Sequence, residues 1–274
     1  MKTIVISNHK GGVGKTTTAL NLAIILAVDG ARVLAVDLDP QGNLSDALGC
    51  DLRKLEATRA TTHRLMLDRE GDYTRYLFRA RPLLDLIPTC LDYDAENALE
   101  SQAVSRELLL RKRLAKARDG YDYCVIDTPP ALNIATLNAL AMSDLTVIPI
   151  DTSKYALLGL THLLKLIGSI MDEHTPEMVI MALSTMYVPR QRIDQEIRKM
   201  VIKRFEESNV FETVIPRAVA VNQAAMSGKS IFEVEPLSTS AAAFYEFAQE
   251  VKGVLSDDEE QESDAGVRER AEGS

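Results

Sequence analysis

Short apolar, β-branched runs recur along the chain and alternate with longer segments of helical periodicity. The runs are Ile4–Ser7, Arg32–Leu38, Leu83–Pro88, Tyr123–Asp127, Leu145–Ile150 and Met178–Leu183, with a shorter seventh candidate at Val210–Ile215. Helical patterns lie between them at Thr16–Asp29, Ser101–Arg118 and Leu157–Glu173. Strands that are apolar along their whole length, rather than at every second position, are buried on both faces. Alternating with helices, they predict an α/β fold: a doubly wound, mostly parallel sheet of about seven strands with helices on both faces. In such sheets ligands bind beyond the carboxyl ends of the strands, and the polar motifs of this sequence fall there. The segment from Cys50 to Arg81 is polar and irregular, which places it on the periphery.

The first strand end carries Lys10-Gly11-Gly12-Val13-Gly14-Lys15-Thr16-Thr17, straight after Thr3-Ile4-Val5-Ile6-Ser7 and straight before the helical pattern Ala19-Leu20-Asn21-Leu22-Ala23. A buried strand, a glycine-rich loop and a helix N-terminus in that order make a phosphate cradle. The glycines let successive backbone N–H groups turn toward the β- and γ-phosphates, and the helix dipole adds partial positive charge. Lys15 then reaches the phosphates and the Thr16 hydroxyl takes one Mg²⁺ position. Lys10 is a second lysine, which a plain G-x-x-x-x-G-K-[ST] loop does not require.

The second strand ends in Asp37-Leu38-Asp39-Pro40-Gln41-Gly42-Asn43. Two carboxylates two residues apart on a strand point the same way; D-P and Q-G-N also suit a turn. By sequence order this strand lies beside the first, its end facing the phosphates. An aspartate there can polarise the attacking water or hold Mg²⁺ through water. The third segment, Tyr123-Cys124-Val125-Ile126-Asp127-Thr128-Pro129-Pro130, closes an apolar strand with a carboxylate placed for a metal-bound water.

Composition changes this picture in two places. At 274 residues, 46% hydrophobic and 26% charged, the chain has the balance of one large soluble domain. No apolar run approaches the ~18–20 residues that span a bilayer, and a strand beginning at residue 3 leaves no room for a signal peptide or an N-terminal helix-turn-helix. Cys50, Cys90 and Cys124 lack C-x-x-C spacing and read as inert thiols in a reducing cytoplasm; His9, His63, His162 and His174 show no ligand spacing. The net charge of −9 argues against nucleic acid. Its distribution reverses that argument, because eight acidic residues and two arginines fall between Ser256 and Ser274. Such a segment cannot bury enough apolar surface to fold, so residues 1–252 read as a single domain and 253–274 as an acidic disordered tail. The body is then close to neutral, and within it Arg190, Arg192, Arg198, Lys199, Lys203 and Arg204 stand against only Asp194 and Glu196. Spacings of seven and four put Arg192, Lys199 and Lys203 near one helical face. A solvated amphipathic helix and a phosphate-binding face both fit that pattern.

The lysine-first loop resembles the deviant Walker A motif of the ParA/MinD family of ATPases. D-x-D-P-Q-G-N resembles that family's second motif, and D-T-P-P its D-C/T-P-P sequence. Thr136–Leu140, Tyr155–Leu160, Thr185–Tyr187 and Phe211–Arg217 are also similar to ParA text, so the resemblance covers roughly residues 1–252. It implies an ATPase that uses ATP and Mg²⁺, slow alone and stimulated by a partner. Lys10, Lys15 and Asp39 are then the catalytic candidates: Lys10 reaches across a dimer interface to the other subunit's nucleotide, Asp39 activates water, and Asp37 supports the loop and metal shell. Lys10, Gly11, Gly12, Val13, Gly14, Lys15, Thr16, Thr17, Pro216 and Arg217 bind nucleotide, with Pro216 near the adenine. Thr16, Asp39 and Asp127 hold Mg²⁺, Asp127 through water. The resemblance further implies a homodimer, formed on ATP binding, that holds double-stranded DNA non-specifically through the basic residues named above. A ParB-like centromere-binding or adaptor protein stimulates its release, and the role is plasmid or chromosome partition on the nucleoid. Two positions depart from the family: His9 stands where glutamine is frequent, and Ala220 where ParA proteins commonly carry an arginine. Within the same resemblance lie a positioning ATPase for a protein cargo and a MinD-like membrane-associated regulator. The acidic end, which anionic lipid repels, opposes the membrane reading.

Overall fold

The computed structural model describes residues 1–101, 105–153, 157 and 159–272, without the side chains of Asn222 and of residues 257–272. Eight strands form one sheet: β1 (Lys2–Ile6), β2 (Val33–Asp37), β3 (Phe78–Arg81), β4 (Leu84–Ile87), β5 (Tyr123–Asp127), β6 (Leu145–Asp151), β7 (Val179–Tyr187) and β8 (Val210–Pro216). Their order is β3-β4-β2-β5-β1-β6-β7-β8, and every pairing is parallel except β3 with β4. Around it lie α1 (Lys15–Val28), α2 (Asn43–Ala47), α3 (Leu52–Thr58), α4 (Thr62–Leu67), α5 (Tyr93–Glu100), α6 (Leu109–Arg113) and α7 (Ile134–Leu140). The remaining helices are α8 (Leu160–Glu173), α9 (Arg192–Phe205), α10 (Val219–Met226), α11 (Ile231–Val234) and α12 (Thr239–Glu272).

The strand pattern explains the two-sided cover. Ile4 and Ile6 of β1 enter one core with Leu22 of α1 and Phe244 and Phe247 of α12. Val5 enters the other, with Leu163 of α8 and Ile197 of α9. Successive side chains point to opposite faces, so a strand apolar throughout needs a helical layer on each side. The expected doubly wound sheet is present, and no described helix is long and apolar enough to cross a membrane.

Three expectations about its parts change. β2 does not lie beside β1: β5 sits between them, pairing Ile4 with Val125 on one side and Asp37 with Asp127 on the other. Buried from Cys124 to Asp127, β5 suits the middle of the sheet. The segment from Cys50 to Arg81 is ordered rather than irregular. Asp51 accepts hydrogen bonds from the Arg53 and Lys54 amides and caps α3, and Thr61 caps α4. The eighth strand, β3, is also here, an edge strand whose Arg79 pairs with Asp85 at 2.8 Å; charged edges discourage pairing with other chains. The helix expected over Ser101–Arg118 is broken, with residues 102–104 outside the described residues. Asn138 accepts from the Leu110 amide at 2.9 Å and donates to the Arg106 carbonyl at 2.7 Å, replacing ladder bonds that the break removes. The backbone of α12 is helical through Glu272. Its Glu, Gln, Ala and Arg residues, free of proline, are good helix formers extending a packed segment.

α8 starts at Leu160, later than its periodicity suggests, for a specific reason. Gly159 has φ +78°, and a Cβ there would stand 2.2 Å from His9 Nε2. The departure at position 9 thus packs directly on the start of α8. Tyr155, Ala156 and Leu158 of the family-like stretch lie outside the described residues.

Candidate nucleotide site

The loop between β1 and α1 takes left-handed turns at Gly12 (φ +75°) and Gly14 (φ +88°), which side chains with a Cβ rarely tolerate. Gly14 occupies the N-cap of α1 and offers no side chain to it. The first N–H groups of the helix therefore remain open to an anion. Two side chains, one beside the loop and one from far along the chain, hold it in place. Asn8 donates to the Pro149 carbonyl at 2.8 Å and accepts from the Lys10 amide at 3.0 Å, and the Thr185 hydroxyl donates to the Val13 carbonyl at 2.9 Å. Lys15 is 7% exposed, and its ammonium donates to the Lys10 carbonyl at 3.1 Å. Burial lowers its pKa while the charges of Asp127 and Asp39 oppose the shift.

Asp37 and Asp127 meet across β2 and β5, both fully buried. Burial pushes the Asp37 carboxyl up to about 7 despite hydrogen bonds from Ser45. Burial and then the charge of Asp37 push Asp127 well above its ordinary range, with the Thr16 hydroxyl and Lys15 opposing. Neither Asp127 oxygen has a hydrogen-bond partner in ordinary geometry. Asp127, with both oxygens unused beside the Thr16 hydroxyl and within reach of the Asp39 charge, is part of a hard-oxygen donor set that fits Mg²⁺, whereas both Asp37 oxygens are already engaged. Asp39 lies at the rim, 7% exposed. Its Oδ1 accepts from the Gln41 amide at 3.0 Å and its carbonyl from the Gly42 amide at 2.8 Å. The D-P-Q-G-N segment is a turn, and the turn holds Asp39 beside Asp37, whose Oδ1 accepts from the Asp39 amide at 3.1 Å.

Lys10 is not free. Its ammonium donates to Asp151 Oδ1 at 2.6 Å and Oδ2 at 2.8 Å, and to the Ser153 hydroxyl at 2.6 Å. Sequence reasoning missed both partners, although Asp151 closes an apolar strand as Asp127 does. On the far side of the loop a cavity of about 300 Å³ opens between Gly14, Thr17, Thr185, Met186, Pro216 and Arg217, floored by Val221 and Phe244. Pro216 and Arg217 thus come together with the loop as the sequence predicts; Val221 and Phe244, on helices distant in sequence, carried no signal. Met186 holds φ +53° at this wall, a conformation uncommon for a side chain of its size.

Of the basic residues, Arg190, Arg192, Lys199, Lys203 and Arg204 are exposed on and before α9. The structure separates Arg198 from them. Its guanidinium donates to the Ser184 hydroxyl at 3.2 Å and to the carbonyls of Phe211 at 3.3 Å and Glu212 at 2.9 Å, fastening α9 to β7 and β8. Ala220 is half-buried against the core rather than on a basic surface.

A family model described as an AAA domain matches residues 1–180. The sporulation initiation inhibitor protein Soj of Bacillus subtilis is 37% identical over 253 residues, 91% of this chain and 98% of that protein. The chromosome partitioning protein ParA of Caulobacter vibrioides is 34% identical, covering 92% of this chain and 94% of its own length. Among solved structures, cobyrinic acid a,c-diamide synthase from Mycobacterium smegmatis, with bound ATP analog and magnesium, matches with a TM-score of 0.77 at 31% identity, covering 91% of this chain and 93% of that one. A single-substitution form of Cyanothece McdA in its ATP complex gives 0.80 at 26% identity, covering 92% and 96%. With its lysine-first phosphate loop, this chain is an ATPase of the ParA/MinD superfamily of deviant Walker A proteins, to which ATP-dependent partition or positioning belongs.

Proposed function

We propose that this protein is an ATP-driven positioning switch that dimerises around two ATP molecules and holds DNA backbone in the closed state. The observation that supports it best is the convergence of the Lys10–Thr17 loop with Asp37, Asp39 and Asp127 at one point of the sheet edge. The open N–H groups of α1 and Lys15 bind the β- and γ-phosphates. Thr16, Asp39 and Asp127 hold Mg²⁺, which when bound neutralises charge developing on the transferred phosphoryl group. Asp39 orients the attacking water, while the cavity beside Pro216 receives the adenine. Lys10 exchanges Asp151 for the phosphates of a second copy, so dimerisation depends on the triphosphate. Hydrolysis removes that contact, and the dimer relaxes together with whatever it holds.

The exposed cations around α9, on a body close to neutral, support a sequence-independent DNA partner. A ParB-like adaptor then stimulates hydrolysis, and plasmid or chromosome is the cargo; the name of the Caulobacter relative gives chromosome partitioning for that protein. A protein cargo carried in the McdA manner is the second reading, favoured by the TM-score of 0.80. Retention on non-specific duplex DNA tests the surface common to both. With ATP the protein is retained, retention falls steeply as salt rises, and ADP abolishes it. Lys199→Glu combined with Lys203→Glu lowers retention at least 10-fold while leaving ATP binding intact. Unchanged retention in that variant returns the helix to a solvated face, and sedimentation with anionic vesicles instead of DNA supports the membrane reading.

A further inference from the structure

We propose that Ser45 is a positioning residue for ATP hydrolysis: it clamps Asp37 and, through Asp37, sets the loop that carries Asp39. The proposal rests on Asp39 being the water-orienting group. Asp37 divides its two oxygens between two tasks. Oδ2 accepts from the Ser45 amide at 2.8 Å and the Ser45 hydroxyl at 2.7 Å, and Oδ1 accepts from the Asp39 amide at 3.1 Å. One oxygen is therefore tied to α2, and the other ties down the residue that faces the phosphates.

The Ser45 hydroxyl is itself held from behind. It accepts from the Thr89 amide at 2.9 Å, just past the carboxyl end of β4, and the Thr89 hydroxyl lies 2.9 Å from His63 Nδ1 on α4. Asp37, Ser45 and Thr89 are completely buried and His63 nearly so. A strut of His63, Thr89, Ser45 and Asp37 thus runs from the outer helices to the Asp39 turn. The turn has no slack on its other side, because Gly42 takes φ +65° and a Cβ there would stand 2.8 Å from the Thr89 carbonyl. Five-residue α2 has too few ladder bonds to fix this geometry by itself. Only a hydroxyl at position 45 can donate to Asp37 and accept from Thr89 at once. None of the hydrogen bonds of Ser45 reaches the phosphate loop. Its removal loosens Asp39 without touching the phosphate loop, and small displacements of a positioned group cost rate steeply.

Steady-state and single-turnover ATP hydrolysis with ATP binding measured in parallel tests this. Ser45→Ala lowers kcat at least 10-fold with ATP affinity and KM within twofold, and Ser45→Thr, which keeps the hydroxyl, recovers most of the loss. Should Ser45→Ala fail to fold, Ser45→Cys, similar in size but a weak donor, is read in its place with the same expectation. Unchanged kcat, or a kcat loss that Ser45→Thr does not relieve, overturns the proposal. Asp39→Ala separates the two layers: if it hydrolyses ATP normally, the reading beneath the proposal fails, whereas an inactive Asp39→Ala beside a fully active Ser45→Ala sinks the positioning role alone.

Discussion

His63 is buried 2.9 Å from the Thr89 hydroxyl, and burial brings its pKa down to about 4. In the unfolded chain the same imidazole titrates near 6.5, so the native state binds that proton more weakly. The stability that depends on a neutral ring is present above pH 6.5 and is lost as the pH falls through 4, a contribution of about 3 kcal/mol. Asp37 acts with the opposite sign. Its carboxyl, raised to about 7, contributes stability below its unfolded value near 4 that is lost as the pH rises through 7. Asp37 titrates in the same window, so urea unfolding of the nucleotide-free protein between pH 7 and 4 is read as a difference: His63→Gln loses less stability on acidification than the unsubstituted chain, and identical slopes would refute the assignment. Residues of this kind mark the limit of what the sequence reveals. Lys15, Thr16 and Asp127 are legible because each sits at a fixed spacing from a strand end. His63 and Asp151 are not, since what they do is decided by partners 26 and 141 residues away.

At the scale of elements, α9 shows how one charge run serves two purposes. Ile197, Val201 and Phe205 bury its inner face. Arg198 lies at the margin of that face and spends its guanidinium on three groups of β7 and β8, whereas Lys199 and Lys203 face outward. Arg198→Ala therefore lowers stability by about 1–3 kcal/mol, because two of the three acceptors it leaves, Ser184 and the Phe211 carbonyl, are part-buried. Lys199→Ala and Lys203→Ala change stability by less than about 0.5 kcal/mol. Equal urea midpoints for all three would remove the distinction. Sequence reasoning grouped these residues by charge, which cannot see a neighbouring strand's carbonyls; the helical spacings placed only Arg192, Lys199 and Lys203 near one face. The same limit explains the broken helix before β5 and the ordered segment after Cys50. There, caps from Asp51 and Thr61 and the amide of Asn138 substitute for the periodicity that longer elements display. The long, evenly apolar strands were legible because their burial on both faces is written into every position.

For the whole molecule, the question is what the exposed carboxyl edge of the sheet is for. Leu91 and Tyr93 follow β4, Leu132 follows β5 and Val219 follows β8, and these are 46%, 70%, 40% and 71% exposed. Scattered exposed apolar residues are ordinary, but these four share the edge that carries the phosphate loop and Lys10. Under the function proposed above, a second copy closing on that edge covers them and brings the nucleotide to Lys10. In the single chain Asp151 and Ser153 already occupy the Lys10 ammonium, so closure is favourable only when the triphosphate offers a better set of acceptors. Apolar cover supplies affinity that does not depend on nucleotide, and the lysine exchange makes the sum conditional on ATP. The two contributions are separable by substitution. Leu132→Asp places a charge on the edge without touching a loop residue: ATP binding stays within twofold, and the ATP-dependent dimer weakens at least 10-fold in sedimentation or light scattering. Val28→Asp, at the opposite end of α1 on a residue that is 80% exposed, leaves the dimer unchanged. If both variants dimerise with ATP like the unsubstituted chain, the carboxyl edge is not the closing face, and the lysine exchange loses the geometry on which it depends.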